Sequence, residues 1–130
     1  MPMQPITGPN LPVGGRPYSP AVRVDNYIYV SGQASVDARG EIVPDTFAGE
    51  MHRSMANVKA VLKAANVELR HVFQVRGYVA RQEDIPEYNR LYREYFSEPF
   101  PVRTTLIGCL GTMLKFEIDV VAYCDDRRDT

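Results

Sequence analysis

The stretch DTFAGEMHRSMANVKAVLKAAN, residues 45–66, is where the chain changes period. Ahead of it apolar residues alternate, as on a strand. Within it Phe47, Met51, Met55, Val58, Leu62 and Ala65 recur at helical spacing and form one apolar stripe. Asp45 or Thr46 can cap the start of this helix and Asn66 can end it. Working outward, Ala21 to Val24 and Tyr27 to Ser31 flank Asp25-Asn26, two residues that tolerate left-handed backbone, so a tight hairpin is expected there. Tyr27, Tyr29 and Ser31 would share one face of its second strand, with Ile28 and Val30 on the other. Residues 1–17, rich in Pro and Gly, predict an irregular arm or a short strand.

After the helix, residues 72–80, VFQVRGYVA, predict a strand with Phe73, Val75 and Val79 on one face. Asp84-Ile85-Pro86-Glu87 then combines a capping residue, a proline tolerated in a first turn and a glutamate three positions on. The second helix carries the stripe Ile85, Tyr88, Leu91, Tyr92, Tyr95 and Phe96, and Pro99 and Pro101 end the segment. Residues 101–106 and 115–120 also alternate, and Gly108 and Gly111 suggest that they close an antiparallel hairpin. On its last strand Phe116, Ile118, Val120 and Ala122 would face one way, and Lys115, Glu117, Asp119 and Val121 the other. The order strand, strand, helix, strand, helix, strand, strand predicts an α+β fold in a single domain over residues 1–130, with both helices on one face of a mixed sheet. The open face would then carry Glu117, Val121, Tyr123, Tyr27 and Tyr29, with Tyr78 as a further candidate. Such a mixed aromatic and charged patch suits an oligomer interface, with sites built between subunits.

Composition narrows the function. The 130 residues suffice for one core, and 45% hydrophobic with 24% charged residues is the balance of an ordinary globular domain. A formal charge of −1 gives no electrostatic footprint for nucleic acid or an anionic membrane. No apolar run has transmembrane length, and residues 1–5 show no signal-peptide pattern, so a cytoplasmic location is the default expectation. Cys109 and Cys124, each in an apolar strand-like context, read as reduced thiols in the core or half-buried, not as a zinc or redox pair. His52 and His71 have no third ligand at useful spacing, and no metal site is expected. There is no GxGxxG, no phosphate-binding GxxxxGK[ST] and no GxSxG; residues 30–33, VSGQ, share with the last only a Ser before a Gly.

What remains is Arg103 and Glu117, which the expected hairpin would set near one another. A guanidinium fork fits a substrate carboxylate at two points, and a glutamate can orient or deprotonate a water. The plainer alternative is a surface ion pair of little consequence.

Six segments, PYS (17–19), YVSGQ (29–33), NVKAVLKAA (57–65), YN (88–89), FPVR (100–103) and KFEI (115–118), resemble in order and spacing the RidA/YjgF family of enamine and imine deaminases. The resemblance covers nearly the whole chain. It implies a chorismate-mutase-like α+β fold and homotrimers with clefts at the subunit interfaces. It also implies hydrolysis of reactive 2-imino or 2-enamine acids to 2-keto acids and ammonia without cofactor or metal. By the same resemblance Arg103 binds the substrate carboxylate, Glu117 places the attacking water, and Tyr18, Gly32 and Asn89 line the cleft. Many deaminase members have cysteine where this chain has Thr105, and the loop 108–113 is shorter than usual, which leaves the substrate range open. A non-deaminating member that binds or modifies another small carboxylic acid is the alternative. An endoribonuclease is a further one, which the charge and the absence of a histidine pair disfavour.

Overall fold

The computed structural model describes residues 2–9, 11 and 15–125. Its elements are β1 (Gln4–Ile6), β2 (Ala21–Val24), β3 (Tyr27–Ala34), α1 (Phe47–Ala64), β4 (Val72–Val79), α2 (Ile85–Tyr95), β5 (Val102–Ile107) and β6 (Phe116–Tyr123). The six strands form one mixed sheet in the order β1-β2-β3-β6-β4-β5. The N-terminal arm contributes β1 as an edge strand on β2; its residues 1, 10 and 12–14 lie outside the described residues.

Local chemistry explains most of these elements. Thr46 caps α1, its hydroxyl accepting from the Gly49 amide at 3.1 Å, and Asn66 follows the helix with φ of 62°, the left-handed conformation asparagine tolerates. The β2–β3 hairpin turns at Asp25 with φ of 53°. α2 begins differently from the expectation. Asp84 makes no side-chain cap; it closes a short 3-10 turn and lies 3.8 Å from Arg81, and Pro86 sits in the first helical turn. The helix also ends at Tyr95, ahead of the prolines, with Phe96 already extended.

The core lies between the sheet and the two helices. Met51, Met55, Val58 and Leu62 of α1 and Tyr88, Leu91 and Tyr92 of α2 pack with Phe116, Ile118, Val120 and Ala122 of β6, all buried. Full burial of each large apolar side chain contributes about 1.5–3 kcal/mol. Phe73 does not belong to this set. A bulge between Val72 and Gln74 shifts the alternation, so Val72, Val75 and Val79 face the core while Phe73 packs edge-on against Tyr27 in the open at 6.0 Å.

The largest difference concerns the end of the chain. β5 and β6 do not form a hairpin: β5 pairs in parallel with β4, and β6 lies between β3 and β4, antiparallel to both. The reason is topological. β4, α2 and β5 make a crossover unit, which returns the chain parallel to β4 on its outer edge. Residues 108–115 must then pass β4 to reach β6. The loop is anchored on the way by the Gly108 amide on the Val79 carbonyl at 3.1 Å and the Ala80 amide on the Lys115 carbonyl at 3.1 Å. Glu50 adds a third anchor. Its fully buried carboxylate accepts from the Lys115 amide at 2.9 Å and the Asp45 amide at 3.2 Å, tying the start of α1 to the start of β6.

Candidate functional site

Arg103 stands on β5 opposite Val75, and so on the helix-covered face of the sheet. Its guanidinium carbon lies 4.7 Å from the centre of the Tyr88 ring and 4.9 Å from that of Tyr92. Two tyrosines one helical turn apart thus form an aromatic seat for the cation. Tyr88 fits there because β4 has Gly77 beneath it: a Cβ at that position would fall 2.1 Å from the Tyr88 hydroxyl oxygen. Among the described residues neither phenol hydroxyl makes a hydrogen bond of full geometry. Burial raises the pKa of Tyr88, partly offset by the charge of Arg103 and by the Thr105 and Arg103 side chains, and burial with the neighbouring Tyr88 pushes Tyr92 up to about 12. Both rings stay neutral near pH 7, so the cation on them keeps its full charge for a ligand.

Two hollows meet at Arg103. One, of about 320 Å³, is lined by Asn89, Tyr92, Arg93, Phe100, Pro101 and Arg103. The other, of about 420 Å³, lies against Thr105, Ile107 and the first turn of α2. Arg103 therefore shares one hollow with Asn89 and the other with Thr105. Among the described residues it forms no ion pair, which leaves its fork available to an anion.

Glu117 lies elsewhere. On β6 it is paired with Tyr78 and Ala34 and points to the face away from the helices, half-buried. The β-bulge between Val30 and Gln33 brings Gly32 against it, so close that a Cβ on Gly32 would meet the Glu117 Oε2 at 2.1 Å. Burial, and after it the charge of Asp119, raises the Glu117 pKa. Asp119 is itself held on both oxygens: Arg76 Nε donates to Oδ1 at 2.9 Å and the Tyr78 hydroxyl to Oδ2 at 2.5 Å. Burial and Asp119 push Tyr78 up to about 12, so this hydroxyl remains a donor. Tyr18 is on the same face, exposed, in a hollow of about 600 Å³ shared with Ser31, Arg76 and Asp119.

The expected juxtaposition of Arg103 and Glu117 across a hairpin is thus corrected. Within one chain they occupy opposite faces of the sheet, with β4 between their strands. The structure brings Arg103 together with Asn89 and Thr105, and Glu117 together with Gly32. Sequence reading missed the seat under Arg103, because Tyr88 and Tyr92 fall in the apolar stripe of α2 and look like core alone; Gly77 within a strand was the available signal. It also missed the Arg76–Asp119–Tyr78 network, in which Asp119 lies 43 and 41 positions from the other two. The histidines have other work: His52 Nδ1 meets the Tyr95 hydroxyl, and His71 Nδ1 accepts from the Glu68 amide at 2.9 Å. Among the described residues no group of His, Cys, Asp and Glu side chains converges to hold a metal ion, and no helix is long and apolar enough to cross a membrane.

Residues 10–124 match the family model described as endoribonuclease L-PSP. A RutC family protein of Pyrococcus horikoshii is 33% identical over 86% of this chain and 89% of its own length. A 2-iminobutanoate/2-iminopropanoate deaminase of Bos taurus is 34% identical over 90% of this chain and 87% of its own. Among solved structures, TdcF of E. coli with bound serine superposes with a TM-score of 0.81 at 25% identity, covering 93% of this chain and 98% of that one.

Proposed function

The chain belongs to the endoribonuclease L-PSP family, the RidA/YjgF proteins, and on that premise we propose that it hydrolyses 2-imino and 2-enamine acids at a cleft completed by a second copy of itself. The observation that carries this reading is the separation of two prepared halves. One face offers an unneutralised guanidinium on an aromatic seat, and the other a half-buried carboxylate against a glycine. A homotrimer in which the open, aromatic face of one protomer meets the β5 edge of the next would bring the halves together. Exposed Tyr27, Tyr29, Phe73 and Tyr123, and Val102 and Leu106 on β5, supply the apolar surface for such contacts.

In that cleft the Arg103 fork takes the substrate carboxylate and fixes the C=N carbon for attack. Glu117 of the neighbouring protomer accepts a proton from water as its oxygen adds to that carbon, and returns it to the imine nitrogen, giving the neutral carbinolamine and the free carboxylate again. A raised pKa makes Glu117 the stronger base. The tetrahedral carbinolamine then takes a proton on nitrogen, gives up its hydroxyl proton and expels ammonia. The balance is R–C(=NH)–COO⁻ + H₂O → R–C(=O)–COO⁻ + NH₃; an enamine first becomes the imine by protonation at carbon. No electrons are transferred and no cofactor is required. Tyr18 and Asn89 line the cleft in this reading, and Thr105 forms a wall that tunes which imine is accepted.

The test is hydrolysis of 2-aminoacrylate generated in situ by a pyridoxal-phosphate lyase in excess, with pyruvate release compared with the spontaneous rate. Acceleration of 2-keto acid release supports the reading. A rate equal to the uncatalysed one would sink it.

A further inference from the structure

The hollow in front of Arg103 contains a second cation that the reaction as written does not use. Arg93 follows Asn89 by one turn of α2, and its Nη1 donates to the Asn89 carbonyl at 3.3 Å, which folds the side chain back along the helix toward that residue. Of the six residues lining the hollow two are arginines, and none is a carboxylate. The neighbouring Arg90 shows the ordinary arrangement for this helix: it lies 3.3 Å from Glu87 and 3.6 Å from Glu94. Arg93 has no such counter-charge among the described residues. The same hollow is walled by Tyr92 and Phe100, whose rings lie 6.5 Å apart centre to centre.

A substrate with one carboxylate would neutralise Arg103 and leave Arg93, on the same hollow, without a counter-charge. A substrate with anionic groups at both ends of a short apolar chain satisfies both cations and lays its carbons on the rings. We propose that the preferred substrates are 2-imino dicarboxylates, with the reacting end held by Arg103 and the distal carboxylate by Arg93. This rests on the reading of Arg103 as the carboxylate anchor and extends it to the substrate class.

The experiment compares 2-iminoglutarate with 2-iminobutanoate, each generated in situ by an amino-acid oxidase with catalase, using the full-length protein and its Arg93→Ala and Arg93→Glu variants. The wild type should have the higher kcat/KM for 2-iminoglutarate. Arg93→Ala should lower the ratio of the two constants about tenfold, and Arg93→Glu should invert the preference. A wild type that prefers the monocarboxylate, or an Arg93→Ala ratio within about twofold of wild type, overturns the proposal while leaving imine hydrolysis intact. If neither imine is accelerated, the deaminase reading falls by itself, and calorimetric titration decides the present point. Tighter binding of 2-oxoglutarate than of 2-oxobutanoate, lost in Arg93→Ala, supports the two-arginine site; equal or absent binding of the two overturns it.

Discussion

The two faces of the sheet handle charge in opposite ways. On the helix side Arg103 rests on two buried phenol rings and, among the described residues, is matched by no carboxylate, so its charge is presented but not neutralised. On the open side Arg76 and Tyr78 hold both oxygens of Asp119, and Glu117 is placed beside this closed network on the same strand. Ion pairs such as Arg76–Asp119 satisfy themselves within the chain, whereas a lone cation on an aromatic seat awaits a ligand. The difference teaches where each half of the proposed chemistry resides. In the proposed reaction binding belongs to the helix face and water activation to the open face.

The largest effect should come from breaking the binding half. Arg103→Ala removes both charge and orientation and should lower kcat/KM for imine hydrolysis by about 10²–10³, with Arg103→Lys restoring it only in part because lysine lacks the two-point fork. The variant should remain folded, since Arg103 is exposed on an edge strand. Mixing then tests the two-copy cleft. If Arg103→Ala and Glu117→Gln chains are unfolded together, refolded and allowed to assemble at random, about one cleft in four receives both native residues, and activity should return to about a quarter of wild type. Activity no greater than the sum of the separate variants would place both residues in one protomer's site or in none.

Next in size is the seat itself. Gly77→Ala puts a methyl 2.1 Å from the buried Tyr88 hydroxyl oxygen, and since Tyr88 is enclosed by the core it has little room to retreat. Overpacking of this kind costs about 1–3 kcal/mol, visible as a lower midpoint in urea at unchanged slope. A midpoint equal to wild type would mean that Tyr88 moves freely and is no fixed platform. Tyr92→Leu should act on function more than Gly77→Ala does. Losing one ring face forfeits about 0.5–2 kcal/mol of cation–π attraction, which should raise KM about two- to thirtyfold with kcat changed less, and Tyr92→Phe should recover most of the loss. Equal losses in the leucine and phenylalanine variants would assign the effect to the hydroxyl instead of the ring.

How much of this was legible beforehand follows from the range of the interactions. α1 and the Asp25 turn depend on neighbours a few residues apart, and the period and caps declared them. The open aromatic face was also readable, because strict alternation on β6 leaves Glu117 and Tyr123 opposite the apolar set. Strand order was not. Residues 101–120 have the alternation and glycines of a hairpin, and only the insertion of β4, decided by the crossover through α2, separates them. The two bulges were likewise hidden, since each shifts the alternation by a residue that sequence cannot flag; one turns Phe73 outward and the other sets Gly32 against Glu117. Arg103 and Glu117 stood out by residue type, but their placement on separate faces came from pairing between distant segments.

The smallest expected effect is on the open face and concerns pH. Glu117 has a raised pKa, first from burial and second from the negative charge of Asp119 two residues along the same face. As a base it must be ionised, so activity should fall as pH drops through that raised value, giving kcat/KM an acid limb above the ordinary glutamate range. Asp119→Asn removes the repelling charge but leaves the burial, and its amide oxygen can still accept from Arg76 or Tyr78. With less repulsion the Glu117 carboxylate ionises more readily, so its pKa moves down and the acid limb should shift to lower pH, with the plateau somewhat reduced because the base is weaker. The freed charge of Arg76 acts in the same direction. A pH profile of kcat/KM for the wild type and Asp119→Asn decides it. A limb that stays in place, or moves to higher pH, would show that the titrating group is not Glu117 beside Asp119, and the division of labour between the two faces would have to be redrawn.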